Sequence, residues 1–90
     1  SYLSVDRIEN DYAVCELELI DIETSKQTDP WDRETQMVDI PIQFLNDVNE
    51  GDILQVEHYG EVIERIIGID MEEKRRRVEI LARLLKTESY

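Results

Sequence analysis

Apolar and polar positions alternate with a period of two through most of the chain, and switch to a period of three to four at its end. Tyr2 to Glu9 reads as a strand with Leu3, Val5 and Ile8 apolar. Asn10-Asp11 supplies a turn, because both side chains tolerate the positive φ that two-residue hairpin loops require. Tyr12 to Ile20 is the returning strand. Its Ala13, Cys15, Leu17 and Leu19 alternate with Val14, Glu16 and Glu18, the signature of a sheet with one wet face.

Asp21 to Glu34 breaks the alternation. Beyond Ile22 its only bulky apolar residue is Trp31, so the segment reads as a long loop at the tip of a hairpin. Strand character resumes at Thr35, with Met37 on one face and Val38, Ile40 and Ile42 on the other. Pro41 lacks the ladder donor, so it ends the pairing or sits at a sheet edge. Gln43 to Asn49 reads as a short helical turn with Phe44, Leu45 and Val48 on one side. Glu50-Gly51-Asp52 is a tight turn, Ile53 to His58 a strand, Gly60 a turn, and Val62 to Ile69 the last strand.

From Asp70 onward, Met71, Val78, Leu81, Leu84 and Leu85 line one side of a helix running to about Lys86. Asp70 is its N-cap, and Glu73 three residues on completes a box-like signal. The fold expected is mainly β with a C-terminal α-helix over about 70–86. Its sheet is small, antiparallel and five-stranded, either curled or closed into an SH3/OB-like barrel, and plugged or flanked by the helix. The helix must bury its apolar stripe, and the open end of a barrel is the expected place. A strand-exchanged or helix-exchanged dimer is the structural alternative. No repeat or linker divides residues 1–90, which read as one domain.

Composition narrows the function classes. A net charge of −12 over 90 residues repels phosphate backbones and anionic membrane surfaces, so no nucleic acid and no membrane is expected as a partner. Cys15 is the single cysteine; an intrachain disulfide or a multi-cysteine zinc site is excluded, and a reducing, cytoplasmic setting is expected. No apolar stretch approaches the ~20 residues that span a bilayer.

Three segments together resemble a known family. Val5-Asp6-Arg7-Ile8-Glu9-Asn10-Asp11-Tyr12-Ala13-Val14 is similar to the opening signature of a family of small bacterial domains of unknown function, numbered 3006. Glu50-Gly51-Asp52-Ile53-Leu54 matches its later turn and strand, and Ile69-Asp70-Met71-Glu72-Glu73-Lys74-Arg75-Arg76-Arg77-Val78 partly matches its closing helix start. Asn10 stands where that family usually has Gly, Lys74 where it has Thr, and Val78 where it has a second Arg. The Asp21 to Glu34 segment is longer than the family's hairpin. The resemblance implies a small β-rich domain, sometimes found beside metallo-hydrolase-like proteins, with no established activity.

The chemistry-bearing residues do not assemble into a catalytic motif. Arg7 between Asp6 and Glu9 reads as a scaffold residue that pairs with Glu9, Glu16 or a helix acid and pins the hairpin to its neighbour, and such exposed pairs contribute little. Asp29, Asp32 and Glu34 surround Trp31, but no calcium-binding loop pattern accompanies them. His58 is the lone histidine, without a second nitrogen or sulfur ligand in view. Cys15 falls in register with Ala13 and Leu17, so it reads as a buried packing thiol. Lys74 to Arg77 reads as a solvated, ion-paired helix face, with Arg76 meeting Glu72, Arg77 meeting Glu73 and Arg75 meeting Glu79. No phosphate loop or nucleophile elbow is present.

The expected function is therefore a non-enzymatic accessory or protein-binding module with no cofactor and no metal. Its contact surface is placed in the Asp21 to Glu34 loop. There Trp31 either caps the core or anchors a partner, with Asp29 and Asp32 beside it and Tyr59 as a further contact. A small regulatory domain binding a cation or small ligand through carboxylates, and a self-associating domain, are the alternatives.

Overall fold

The computed structural model describes residues 1–27 and 33–88. Five strands form one antiparallel sheet: β1 (Tyr2–Glu9), β2 (Tyr12–Glu18), β3 (Thr35–Pro41), β4 (Ile53–Tyr59) and β5 (Val62–Ile69). Their order across the sheet is β3-β2-β1-β4-β5. The sheet curls into a half-barrel, with β3 and β5 as its two edges. Two helices complete the fold, α1 (Ile22–Gln27) after β2 and α2 (Met71–Glu88) after β5, together with a 3-10 turn at Ile42–Phe44.

Two tight hairpins set the register. Glu9 pairs with Tyr12 and Tyr59 with Val62, so Asn10-Asp11 and Gly60-Glu61 are two-residue turns. The first residue of each takes a positive φ, 54° at Asn10 and 58° at Gly60. Asp11 does not, so only Asn10 draws on the left-handed tolerance that the sequence offers at both positions.

Register shifts bend the sheet. One lies between Val5 and Arg7, where Asp6 is the extra residue opposite β2. Two more lie in the β4–β5 pair, leaving Ile67 and Glu64 as extra residues on β5. Each such bulge increases local twist and turns the strand, and together they curl the sheet over its apolar face. Leu3, Val5, Ala13, Cys15, Leu17, Leu54 and Val56 fill that face, joined by Ile40 and Leu45. Cys15 is fully buried, in the register expected for it.

The mainly β fold with a C-terminal helix is as expected, and of the two forms expected for the sheet it takes the curled one rather than the closed barrel, since β3 and β5 do not pair. Other expectations need correction. The segment after β2 is not loop throughout: α1 occupies Ile22–Gln27, started by Asp21, whose Oδ1 accepts from the Thr24 N–H at 2.7 Å. Its polarity hides it, since no apolar periodicity marks so short a helix. The helical turn after β3 is earlier and shorter than expected, and Phe44 and Leu45 do not share a side. Leu45 is buried while Phe44 is 64% exposed.

The largest correction concerns α2. It does not plug the half-barrel. Met71, Val78, Leu81, Leu84 and Leu85, the stripe expected to be buried, are 59%, 57%, 53%, 40% and 68% exposed. The helix lies instead against the opposite, polar face of the sheet.

Candidate functional site

The outer face of the sheet carries Tyr2 and Ser4 from β1, Glu16 and Glu18 from β2, and Ile53 and Gln55 from β4. Both sides of the sheet are buried where β2 ends: Leu17 faces the core at 0% exposure, and Glu18 on the other side is 3% exposed. A carboxylate so enclosed must be compensated. Arg33 Nη1 donates to Glu18 Oε2 at 2.7 Å, and Ser25 Oγ of α1 donates to Glu18 Oε1 at 2.6 Å. Arg33 Nη2 in turn donates to the Ser25 carbonyl at 2.6 Å. This is why α1 sits where it does: it delivers Ser25 to the end of β2.

α2 closes the cluster from above. Arg77 Nη2 lies 3.0 Å from Glu18 Oε2, and Arg77 Nε donates to Glu73 Oε2 at 2.7 Å. Arg76 Nε and Nη2 donate to the two oxygens of Glu73 at 2.8 and 2.9 Å. Arg77 Nη1 also donates to Ser4 Oγ, and its guanidinium stands over the Tyr2 ring, 5.1 Å from the centroid, close enough for cation–π attraction. Burial works against ionisation of Glu73, but the hydrogen bonds from Arg76 and Arg77 outweigh it and hold the carboxyl below its usual range.

The expected helix pairing is therefore partly corrected. Arg77 meets Glu73 as expected, but Arg76 also turns to Glu73 rather than Glu72. Arg77 is no solvated residue, with its side chain only 12% exposed. Two further bonds fix the start of α2. Asp70 Oδ1 accepts from the Glu73 N–H at 3.0 Å, the expected cap, while its Oδ2 accepts from Tyr2 Oη and Gln55 Nε2. Chiefly the backbone bond, aided by the two side chains against burial, keeps Asp70 ionised below its usual range. Lys74 Nζ reaches the buried Asp52 at 2.8 Å. Asp52 also accepts from the Asn49 N–H, and these bonds override its burial to lower its pKa.

These ionic joints hold the first half of α2. Past Ile80 every described side chain, Leu81 to Lys86, is exposed. A groove of about 330 Å³ separates Val78 and Leu81 from the sheet, where Ser4, Asp6 and Glu16 line it together with Val5 and Ile53. The carboxylates of Asp6 and Glu16 oppose drying of the groove, and the stripe is left uncovered.

A second apolar feature opens between the two sheet edges. Val38, Ile40 and Pro41 of β3, Phe44 of the following turn, and Ile63 and Ile66 of β5 line a cleft of about 510 Å³. Asp39, Glu61, Glu64 and Arg65 also contribute to its walls. The alternation pattern finds β5 but not this cleft, because the bulges at Glu64 and Ile67 decide which isoleucines face inward.

The other residues singled out by sequence lie apart from these features. Trp31, Asp29 and Asp32 fall outside the described residues. Tyr59 is 80% exposed at the β4–β5 turn. Arg7 pairs with Glu9, one of the partners expected for it, and with Asp6, at 2.7 Å each; both lie on its own strand, so these pairs do not pin the hairpin to a neighbour. Both ring nitrogens of His58 are engaged, Nε2 with Ser1 Oγ and Nδ1 with the Gly60 carbonyl, each at 2.8 Å. Burial, with Asp39 and Asp6 adding to it, pushes the Cys15 thiol up to about 11. Among the described residues, no group of three His, Cys, Asp or Glu side chains is placed to hold a metal ion. No helix among them is long and apolar enough to cross a membrane.

The fold and its surface features define a curled β half-barrel clamped to an amphipathic helix through charged residues, with the apolar side of that helix left open. Comparison with protein-family models, curated proteins and solved structures found no match to this chain.

Proposed function

We propose that this chain is a non-enzymatic protein-binding module whose contact surface is the apolar side of α2. One observation carries the reading: Met71, Val78, Leu81, Leu84 and Leu85 share one half of the helix, and each is at least 40% exposed. Covering such side chains gains on the order of 1 kcal/mol each even when the burial is partial. Contiguous exposed apolar surface of this kind marks interaction sites. A helix whose side chains from Leu81 to Lys86 are all exposed gains little from packing there, and such a helix end is only marginally stable by itself.

The polar chemistry supports the same reading. The most deeply buried carboxylates, Glu18 and Glu73, are neutralised by arginines. The cysteine is buried and its thiol is held protonated. The histidine is bonded at both nitrogens. These groups hold parts of the fold together through bonds within the chain. The proposed contact surface is this helix face; the Trp31 loop expected from sequence lies outside the described residues.

Photo-crosslinking in the native cell tests this. A photoreactive residue at position 81 or 85 should give polypeptide adducts, and one at Glu23, an exposed position of α1, should not. Positions 81 and 85 that react only with solvent would overturn the proposal.

A further inference from the structure

Resting on that reading, we infer that the partner of α2 is a second copy of this chain, and that its seat is the β3–β5 cleft. Charge complementarity points to this occupant. Over Met71–Glu88, α2 carries six basic residues against four acids, and Lys74, Arg76 and Arg77 are paired within the chain; the stretch from Ile80 to Lys86 holds Arg83 and Lys86 and no acid, in a chain of net charge −12. Six of the ten Lys and Arg residues of the protein are therefore on this one helix, and everything before it is strongly acidic. The cleft contributes Asp39, Glu61 and Glu64 against Arg65 alone.

Shape chemistry agrees. Six of the side chains that line the cleft are apolar, and Phe44 among them is 64% exposed. Leu81, Leu84 and Leu85 are the side chains that stand furthest along α2 from its ionic anchors. A chain cannot readily bring them to its own cleft, because Arg77 and Glu73 hold α2 on the other face of the sheet. A second copy meets no such constraint. Exchange in both directions places one helix in each cleft and closes the assembly as a two-fold dimer rather than an open fibre. It also doubles the apolar area covered, which a stable interface requires.

Pairing of α2 directly with α2 is the competing geometry. It would set two basic helices side by side and leave both clefts open, so electrostatics favours the cleft. Asp39 and Pro41 also guard β3 against a bare edge-to-edge strand contact.

The test uses the full chain and sedimentation over a concentration range. The parent should form a dimer. Leu81→Glu with Leu85→Glu, and separately Phe44→Glu, should each give monomers of unchanged circular dichroism, since all three positions are exposed. A parent that stays monomeric to millimolar concentration overturns the inference. So does a dimer that Phe44→Glu leaves intact. If the parent is monomeric while position 81 still crosslinks to another polypeptide, only the second copy is lost and the binding-module reading stands.

Discussion

Arg77 and Glu18 stand 59 positions apart in the sequence, yet their guanidinium and carboxylate meet at 3.0 Å in a nearly solvent-free site. That contact joins α2 to the end of β2 and decides which face of the helix is used up. Charged residues of the first half of α2 dock the helix on the protein itself, and the leucines further along it are left exposed.

Removing one member of this cluster should be costly, since it strands a buried charge. Arg77→Ala is expected to lower the unfolding free energy by about 3–5 kcal/mol, the usual range for breaking a buried pair. Arg7→Ala, which removes a fully exposed pairing, should leave the urea midpoint where it is. Equal midpoints for Arg77→Ala and the parent would contradict the role given to the cluster.

Acid should weaken the fold through the same residues. Glu73, Asp70 and Asp52 have pKa values below their ordinary 4.5, 3.8 and 3.8 in the folded chain. The unfolded chain therefore binds more protons once pH falls to about those values, and stability rises with pH through that range. Their contribution is fully present above about pH 5 and is lost progressively below 4.5. Thermal midpoints from pH 7 to 3 should show it, with a shallower acid slope in Glu73→Gln than in the parent. The general relief of negative self-repulsion on acidification acts on both proteins alike.

Cys15 should be inert while the chain is folded. Its thiol is enclosed and pushed up to about 11, so almost no thiolate exists at neutral pH. A disulfide reagent should label it only at the rate of unfolding, and rapidly in denaturant. Fast labelling of the folded chain would show that the inner face of β2 opens to solvent.

Much of the scaffold is legible in the sequence because local physics determines it. Period-two alternation places β1 and β5 with their observed ends, Asn10 and Gly60 mark the hairpin turns, and Asp70 announces the helix it caps. The inward side of Cys15 follows from its neighbours Ala13 and Leu17. What stays hidden depends on long-range partners. Glu18 looks like one more outward charge at the end of a strand, and nothing nearby in sequence reveals that Arg33, Ser25 and Arg77 converge on it.

The same limit explains the misread helix. Helical periodicity identifies the apolar side of α2 correctly, but the step from apolar to buried assumes an apolar surface to receive it. The sheet offers Ser4, Asp6 and Glu16 there beside Val5 and Ile53, and most of its own hydrophobic residues are already packed inside the curl. Counting the apolar positions of β1 and β2 against one another assigns Leu3, Val5, Ala13, Cys15 and Leu17 to a single face. The opposite face is left with few apolar residues for a helix to cover.

The most direct test is the unfolding free energy of Leu81→Gln with Leu85→Gln, measured where sedimentation shows a single copy of both variant and parent. The structure has these leucines facing solvent, so stability should change by no more than about 0.5 kcal/mol, as for ordinary surface substitutions. A loss of about 2–5 kcal/mol, the range for removing a leucine from a core, would mean that the stripe is packed within the chain and is not a contact surface at all.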